Sequence, residues 1–390
     1  MTTGVMLEGE GRRVGRDWAS GQTVVVSWSS GVIDAVEPVG EGGAAENTWL
    51  APGLVDLQVN GFGGVDFQDP DVSFDQLKAA VVRLRERGCG ALFLTLITDR
   101  WEQMLAKLQR LVSLRDASPF LREAIVGWHL EGPFLSVEEG YRGAHDPAFM
   151  RDPLPGDLSD LLSVVGEDRV LMTVAPERPG VLELIEAGVS KGLQFSLGHC
   201  AAQPDQLAAA IQAGARGITH WGNGIPQSLP RHDNWFWTII DQAGLHVGLI
   251  PDGIHLPPTV FRGMHAALRG SHEIYYTTDA MAAGGAGPGR YKLAGQSLEV
   301  GTDRVVRIPG QPNFAGSSLD PLDGVCRASQ MLGVSWREAW ERFSLASTRF
   351  VGLDWGLVAG APACFCEISV GEGQEIDQVI FYDGRSDEAR

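Results

Sequence analysis

Residues 127–136, GWHLEGPFLS, form an apolar run with the texture of a buried strand, yet it carries His129 and ends in Glu131. Strand alternation puts both on one face, where a buried carboxylate is costly unless something positive meets it. Polar residues stand in the same way at or just past the ends of other apolar runs: Gln58 and Asn60, His199, His220, His255 and Asp279. One such histidine is ordinarily a packed rim residue. A set spread over different strands can surround a point. Glu131, His199 and His220 supply one carboxylate and two imidazoles, a tight but incomplete shell for a divalent ion that leaves room for water. Water on such an ion loses its proton near pH ~7, and Asp279 is placed to take that proton and return it to a leaving group. Metal-assisted hydrolysis is the expected reaction class. His129 lies one layer deeper and is expected to pack or to support rather than to ligate.

The elements that must position these residues are short. Apolar runs at 53–59, 91–97, 125–131, 170–175, 193–199, 217–222, 246–253 and 273–280 alternate with amphipathic segments such as FDQLKAAVVRLRERG and QPDQLAAAIQAG, several closed by a glycine. This is the pattern of an α/β chain forming a (β/α)8 TIM-like barrel over residues 53–350, with its active site at the C-terminal ends of the strands. Residues 1–52 and 351–390 read as strands and turns, and are expected to join into a small β-sandwich domain. GEGGAAEN, at 40–47, reads as a surface loop.

Composition narrows the partners. A formal charge of −18 over 390 residues argues against nucleic acid and anionic membrane surfaces. No window approaches the ~18 uninterrupted apolar residues of a membrane span. The polar start, without the apolar core of a signal peptide, points to the cytoplasm. Five cysteines, none in a C-x-x-C pair, suggest buried reduced thiols.

In order along the chain, APGLVDLQVNGFGGVDF, TLITD, GWHLEGPFLS, RGAHDP, SLGH, TH-x-x-N, PDGIHLPP, TTDAMAAGG and AGSSLDPLDGV resemble the N-acetylglucosamine-6-phosphate deacetylases of the amidohydrolase superfamily. The resemblance implies hydrolytic removal of acetate from an amino-sugar phosphate. It makes Glu131, His199 and His220 metal ligands, Asp279 the general base and acid, and His145 a residue that polarises the amide carbonyl. It places His255, Asn223 and its neighbour Gly222 on the sugar and its phosphate, with Gln58 and Asn60 lining the substrate side. Arg231 falls where the family has a phosphate-binding arginine donated by the neighbouring subunit, which implies a homodimer. Gln58 and Asn60 are neutral amides that bind zinc poorly, so one metal per subunit is expected: zinc, with iron, cobalt or manganese accepted by the same donors. This chain departs from the family around the sixth strand, where Trp221 and Gly222 replace an aliphatic and aromatic pair. Other acetylated amines stay open as substrates: N-acetylgalactosamine 6-phosphate, an unphosphorylated N-acetylhexosamine or an N-acyl amino acid; a barrel that binds without turnover is the alternative from another class. Trp221, Trp235 and Trp237 are expected to pack or anchor a dimer interface, with stacking on a sugar as the alternative.

Overall fold

The computed structural model describes residues 1–39, 47–232, 234–310 and 314–384, so the glycine-rich loop at 40–47 lies almost wholly outside the described residues. Eight parallel strands, Leu54–Val59, Cys89–Ile97, Ile125–Glu131, Arg169–Val174, Gln194–Leu197, Gly217–Ile218, His246–Leu249 and Glu273–Tyr276, follow one another around one sheet in chain order. The ring closes at its rim, where Val59 bridges Ala280 and the Asn60 and Gly61 N–H groups donate to the Ala280 carbonyl at 2.7 and 3.2 Å.

The second strand, CGALFLTLI, is buried at every position, as a strand covered on both faces must be. Leu92, Leu94 and Leu96 join the layer between strands and helices, while Ala91 and Phe93 fill the barrel with Val55, Leu57, Leu171 and Tyr275. The helix Phe74–Glu86 that precedes it begins at a reciprocal cap: Gln76 N–H donates to Ser73 Oγ, and Ser73 N–H to Gln76 Oε1. It buries Leu77, Ala80, Val81 and Leu84 against the strands and ends ahead of Gly88, whose φ of +78° stops the helix. Truncating Leu77 to alanine would cost about 2–5 kcal/mol.

Strands five to eight end earlier than their apolar runs suggest, at 197, 218, 249 and 276. Hydrophobicity persists beyond each ladder, but the backbone turns away: His199, His220 and Asp279 take φ values of +49°, +31° and +49°. An antiparallel insert, Gly289–Leu293, Gln296–Val300 and Val306–Arg307, then follows the eighth strand.

The chain's two ends share one seven-stranded sheet, in which Thr2–Leu7 pairs in parallel with Ile376–Asp383 and Cys364–Val370 pairs with Thr48–Pro52. The segment before Cys364 ties back to the turn at 31–33: the Ile33 N–H donates to the Ala361 carbonyl and the Ala363 N–H to that of Gly31. Val26, Trp28, Ile33, Leu50, Phe365 and Tyr382 pack into one buried cluster. A buried ion pair, Arg85 with Asp383, fastens this sheet to the first barrel helix. Among the described residues no helix is long and apolar enough to cross a membrane.

Candidate active site

A cavity of about 280 Å³ opens at the C-terminal ends of the barrel strands. Asn60, Glu131, His145, His199, His220, Gly222, Asn223, His255 and Asp279 all line it. Gln58 stands behind, joined to the site through its hydrogen bond to Asp279. Nine buried or half-buried residues from widely separated stretches thus meet in one cavity, His145, Gly222 and Asn223 from the family resemblance beside those of the strand ends.

Glu131 is the hub. Its Oε1 lies 2.8 Å from His220 Nε2 and 3.4 Å from His199 Nε2, and its Oε2 lies 3.6 Å from His145 Nε2. Burial alone would raise the pKa of this carboxyl, but contacts with His199 and His220, and the nearby His145, hold it well below the usual range. The donor atoms of Glu131, His199 and His220 all lie within 4.8 Å of one another. Donors that share one ion at bonds of about 2.1 Å and tetrahedral angles stand roughly 3.4 Å apart. The spacing therefore fits a single divalent cation. His199 is oriented to ligate: its Nδ1–H donates to the Tyr141 carbonyl at 2.7 Å, leaving the Nε2 lone pair facing Glu131.

Asp279 faces this trio. Asn60 and Gln58 donate to its Oδ1 at 2.7 and 3.0 Å. Burial, and then repulsion from Glu131, raise its pKa to about 6, a value suited to accepting and releasing a proton near neutrality. The positive φ at His199, His220 and Asp279 marks backbone strain gathered at the site, as non-glycine residues avoid that region.

His145 Nδ1 sits 2.9 Å from Thr98 Oγ1, and burial pushes its pKa down to about 3, so the ring is neutral. His255 Nδ1 lies 2.6 Å from Asp252 Oδ2, while the other oxygen of Asp252 accepts the Ile254 and His255 N–H groups. Burial opposes a charge on His255, but Asp252 outweighs it and raises the pKa above the usual histidine value. Asn223 Nδ2 donates to the His220 carbonyl at 3.1 Å. His129 is packed inside the barrel, its ring nitrogens 3.1 Å from the Leu57 carbonyl and 2.7 Å from Thr173 Oγ1, and burial lowers its pKa to about 4.

Arg231 does not join this cavity within one chain. It is exposed on the loop after the sixth strand, its carbonyl accepting the Trp237 indole N–H at 3.2 Å. Among the described residues lining the cavity there is no lysine or arginine. No tryptophan lines it either: Trp221 is buried and stacks on Phe236 at 4.5 Å, Trp235 is buried, and Trp237 is 49% exposed.

Several participants carry no sequence signal. Tyr141 acts through its carbonyl, which any residue could supply. Gly143 and Gly224 matter because a β-carbon on either would come within 2.8 and 2.7 Å of the His199 ring. Leu293 and Phe314, which wall the cavity, arrive from the insert and the segment after it.

An eight-stranded α/β barrel with a buried Glu–His–His cluster and an opposed aspartate at its strand ends is an amidohydrolase arrangement. No family model matches the chain. It is 33% identical over 317 residues to N-acetylglucosamine-6-phosphate deacetylase of Mus musculus, covering 78% of this chain and 75% of that one. It is 30% identical over 330 residues to N-acetylgalactosamine-6-phosphate deacetylase of Escherichia coli O157:H7, covering 84% of each. Among solved structures, N-acetyl-D-glucosamine-6-phosphate deacetylase of Mycobacterium smegmatis, a point mutant in complex with N-acetyl-D-glucosamine-6-phosphate, superposes with a TM-score of 0.82 at 29% identity over 93% of this chain and 94% of that one. The chain belongs to the N-acetylglucosamine-6-phosphate deacetylase family, and it is a hydrolase of carbon–nitrogen amide bonds.

Proposed function

We propose that this enzyme removes acetate from the 2-acetamido group of N-acetylglucosamine 6-phosphate. The observation that carries the reading is Asp279, held by two amide donors and facing the Glu131–His199–His220 cluster across one cavity. Those three residues would hold one divalent ion, zinc or another borderline cation, which when bound supplies Lewis acidity to an amide carbonyl and to water. Asp279 accepts the proton of the attacking water and delivers it to the amine nitrogen as the C–N bond breaks. The neutral His145 ring, held at Nδ1 by Thr98 Oγ1, lies beside the position of the amide carbonyl and helps to polarise it. Gln58 and Asn60 keep the Asp279 carboxylate turned into the cavity. His255, whose pKa Asp252 raises, and Asn223 receive the sugar and its phosphate.

The cavity wall of one chain offers His255 but no lysine or arginine to a phosphate, which supports a homodimer in which Arg231 reaches the neighbouring site. Its five cysteines form no disulfide, which suits a reducing cytoplasm. The galacto epimer is the second reading, since a relative named for N-acetylgalactosamine 6-phosphate is 30% identical to this chain. Acetate release from both epimers and from the two unphosphorylated sugars tests these readings. A phosphate-dependent gluco preference is expected; equal turnover of the free sugars would overturn the phosphate assignment, and a galacto preference the epimer.

A further inference from the structure

The fourth barrel strand, Arg169–Val174, contributes none of the residues assigned above, yet Glu177 in the turn beyond it reaches the same rim. Glu177 Oε1 accepts the Ala201 N–H at 2.7 Å, and the Ser136 hydroxyl faces the same carboxylate. Ser136, itself buried, donates its backbone N–H to the His199 carbonyl at 3.0 Å. Further along the same loop, the Tyr141 carbonyl accepts the His199 Nδ1–H at 2.7 Å. Residues 132–145, which run from just after Glu131 to His145, are thus pinned to residues 199–201 at several points, and Glu177 holds the Ala201 side of that seam.

We propose that Glu177 is a positioning residue: it clasps the loop after the third strand to the end of the fifth, holding the His199 ring so that Nε2 faces a cation and setting His145 beside it. His199 needs such a hold. Its φ of +49° is a conformation a histidine leaves unless its surroundings oblige it to stay. Both backbone groups that flank it are engaged in the clasp, its own carbonyl by Ser136 and the Ala201 amide by Glu177. The inference deepens the functional reading above and rests on its assignment of His199.

Zinc titrations by calorimetry with chelator competition, run without substrate on wild type, Glu177→Ala, Glu177→Gln and Ser136→Ala, test it. Loss of a group that orients a ligand typically weakens metal binding ~10–100-fold, and Glu177→Ala should do so while lowering kcat more than it raises KM. Glu177→Gln keeps an acceptor for the Ala201 N–H and should return to within roughly 3-fold of wild type. Wild-type zinc affinity in a folded Glu177→Ala protein would overturn the proposal, as would Glu177→Gln behaving like Glu177→Ala. Should Glu177→Ala not fold, an unchanged zinc affinity in Ser136→Ala overturns it instead. Because affinity is read without turnover, a wild type that binds zinc but releases no acetate defeats the functional reading and leaves the clasp standing.

Discussion

Gly224 packs so closely on His199 that a β-carbon there would lie 2.7 Å from the ring's Nδ1, and its φ of +62° is one that side chains resist. A β-carbon on Gly143 would crowd the same ring, 2.8 Å from Cε1. The Gly224→Ala variant therefore has to move either the loop or the imidazole, at about 1–2 kcal/mol for the backbone alone. Zinc affinity is expected to fall by ~10-fold or more with the fold retained. Calorimetric titration checks this, and an unaltered affinity would show that the ring has slack the packing does not reveal.

Asp279→Asn keeps the shape of the side chain and removes its basicity. Proton transfer by a positioned group contributes typically ~100- to 10,000-fold, so kcat should fall within that range while zinc still binds. Acetate release measured beside metal content checks both halves. A variant with more than a tenth of the wild-type rate would move the base elsewhere.

Arg231→Ala addresses the phosphate. With the phosphorylated sugar, loss of a guanidinium–phosphate pair should raise KM by ~10-fold or more, while any rate with the free sugar stays unchanged. Mixing Arg231→Ala with Asp279→Asn adds a sharper readout, since an arginine acting across subunits restores complete sites in mixed dimers. Absence of any recovery in the mixture would confine each arginine to its own chain.

Asp56 supplies a pH signature beneath the site. Burial raises its pKa to about 6, against opposing hydrogen bonds from Thr277 and Thr278 and from the Gln58 and Thr278 N–H groups. The folded state thus holds the proton more tightly than the unfolded chain. The stability this contributes is fully present below pH ~4 and is lost as pH rises through about 6. The difference in unfolding free energy between wild type and Asp56→Asn should decline across that window by about 3 kcal/mol and level off above it. Denaturant melts at pH 4, 5, 6 and 7 give the curve; a flat difference would mean Asp56 is ionised throughout.

Glu131 is legible in the sequence because a carboxylate at the end of an apolar run violates the strand's own logic. His199, His220 and Asp279 follow from the same rule. What periodicity misses is how those runs end: hydrophobicity continues to residue 222 on the sixth strand, while the ladder stops at Ile218 and the chain turns left-handed at His220. Alternation reports which face is buried and carries no record of φ. Glu177 is silent for another reason, since a lone glutamate after a strand looks like any solvated turn until Ala201 and Ser136 arrive from elsewhere in the chain. The insert did leave a trace: YKLAGQSLEV alternates around an Ala294–Gly295 turn, where φ is +49° and +81°. Without helical segments nearby it is easily passed over as loop.

The pairing of Thr2–Leu7 with Ile376–Asp383 sets a timetable for assembly. Thr2–Leu7 is made long before the strand it pairs with, since most of the barrel lies between them in the chain. Until then its backbone edge stays open to strangers, including the same strand on another nascent chain. The sheet therefore closes only once residues 376–383 have emerged, and a chain stalled before residue 376 would present that unpaired edge to the quality-control machinery of the cell.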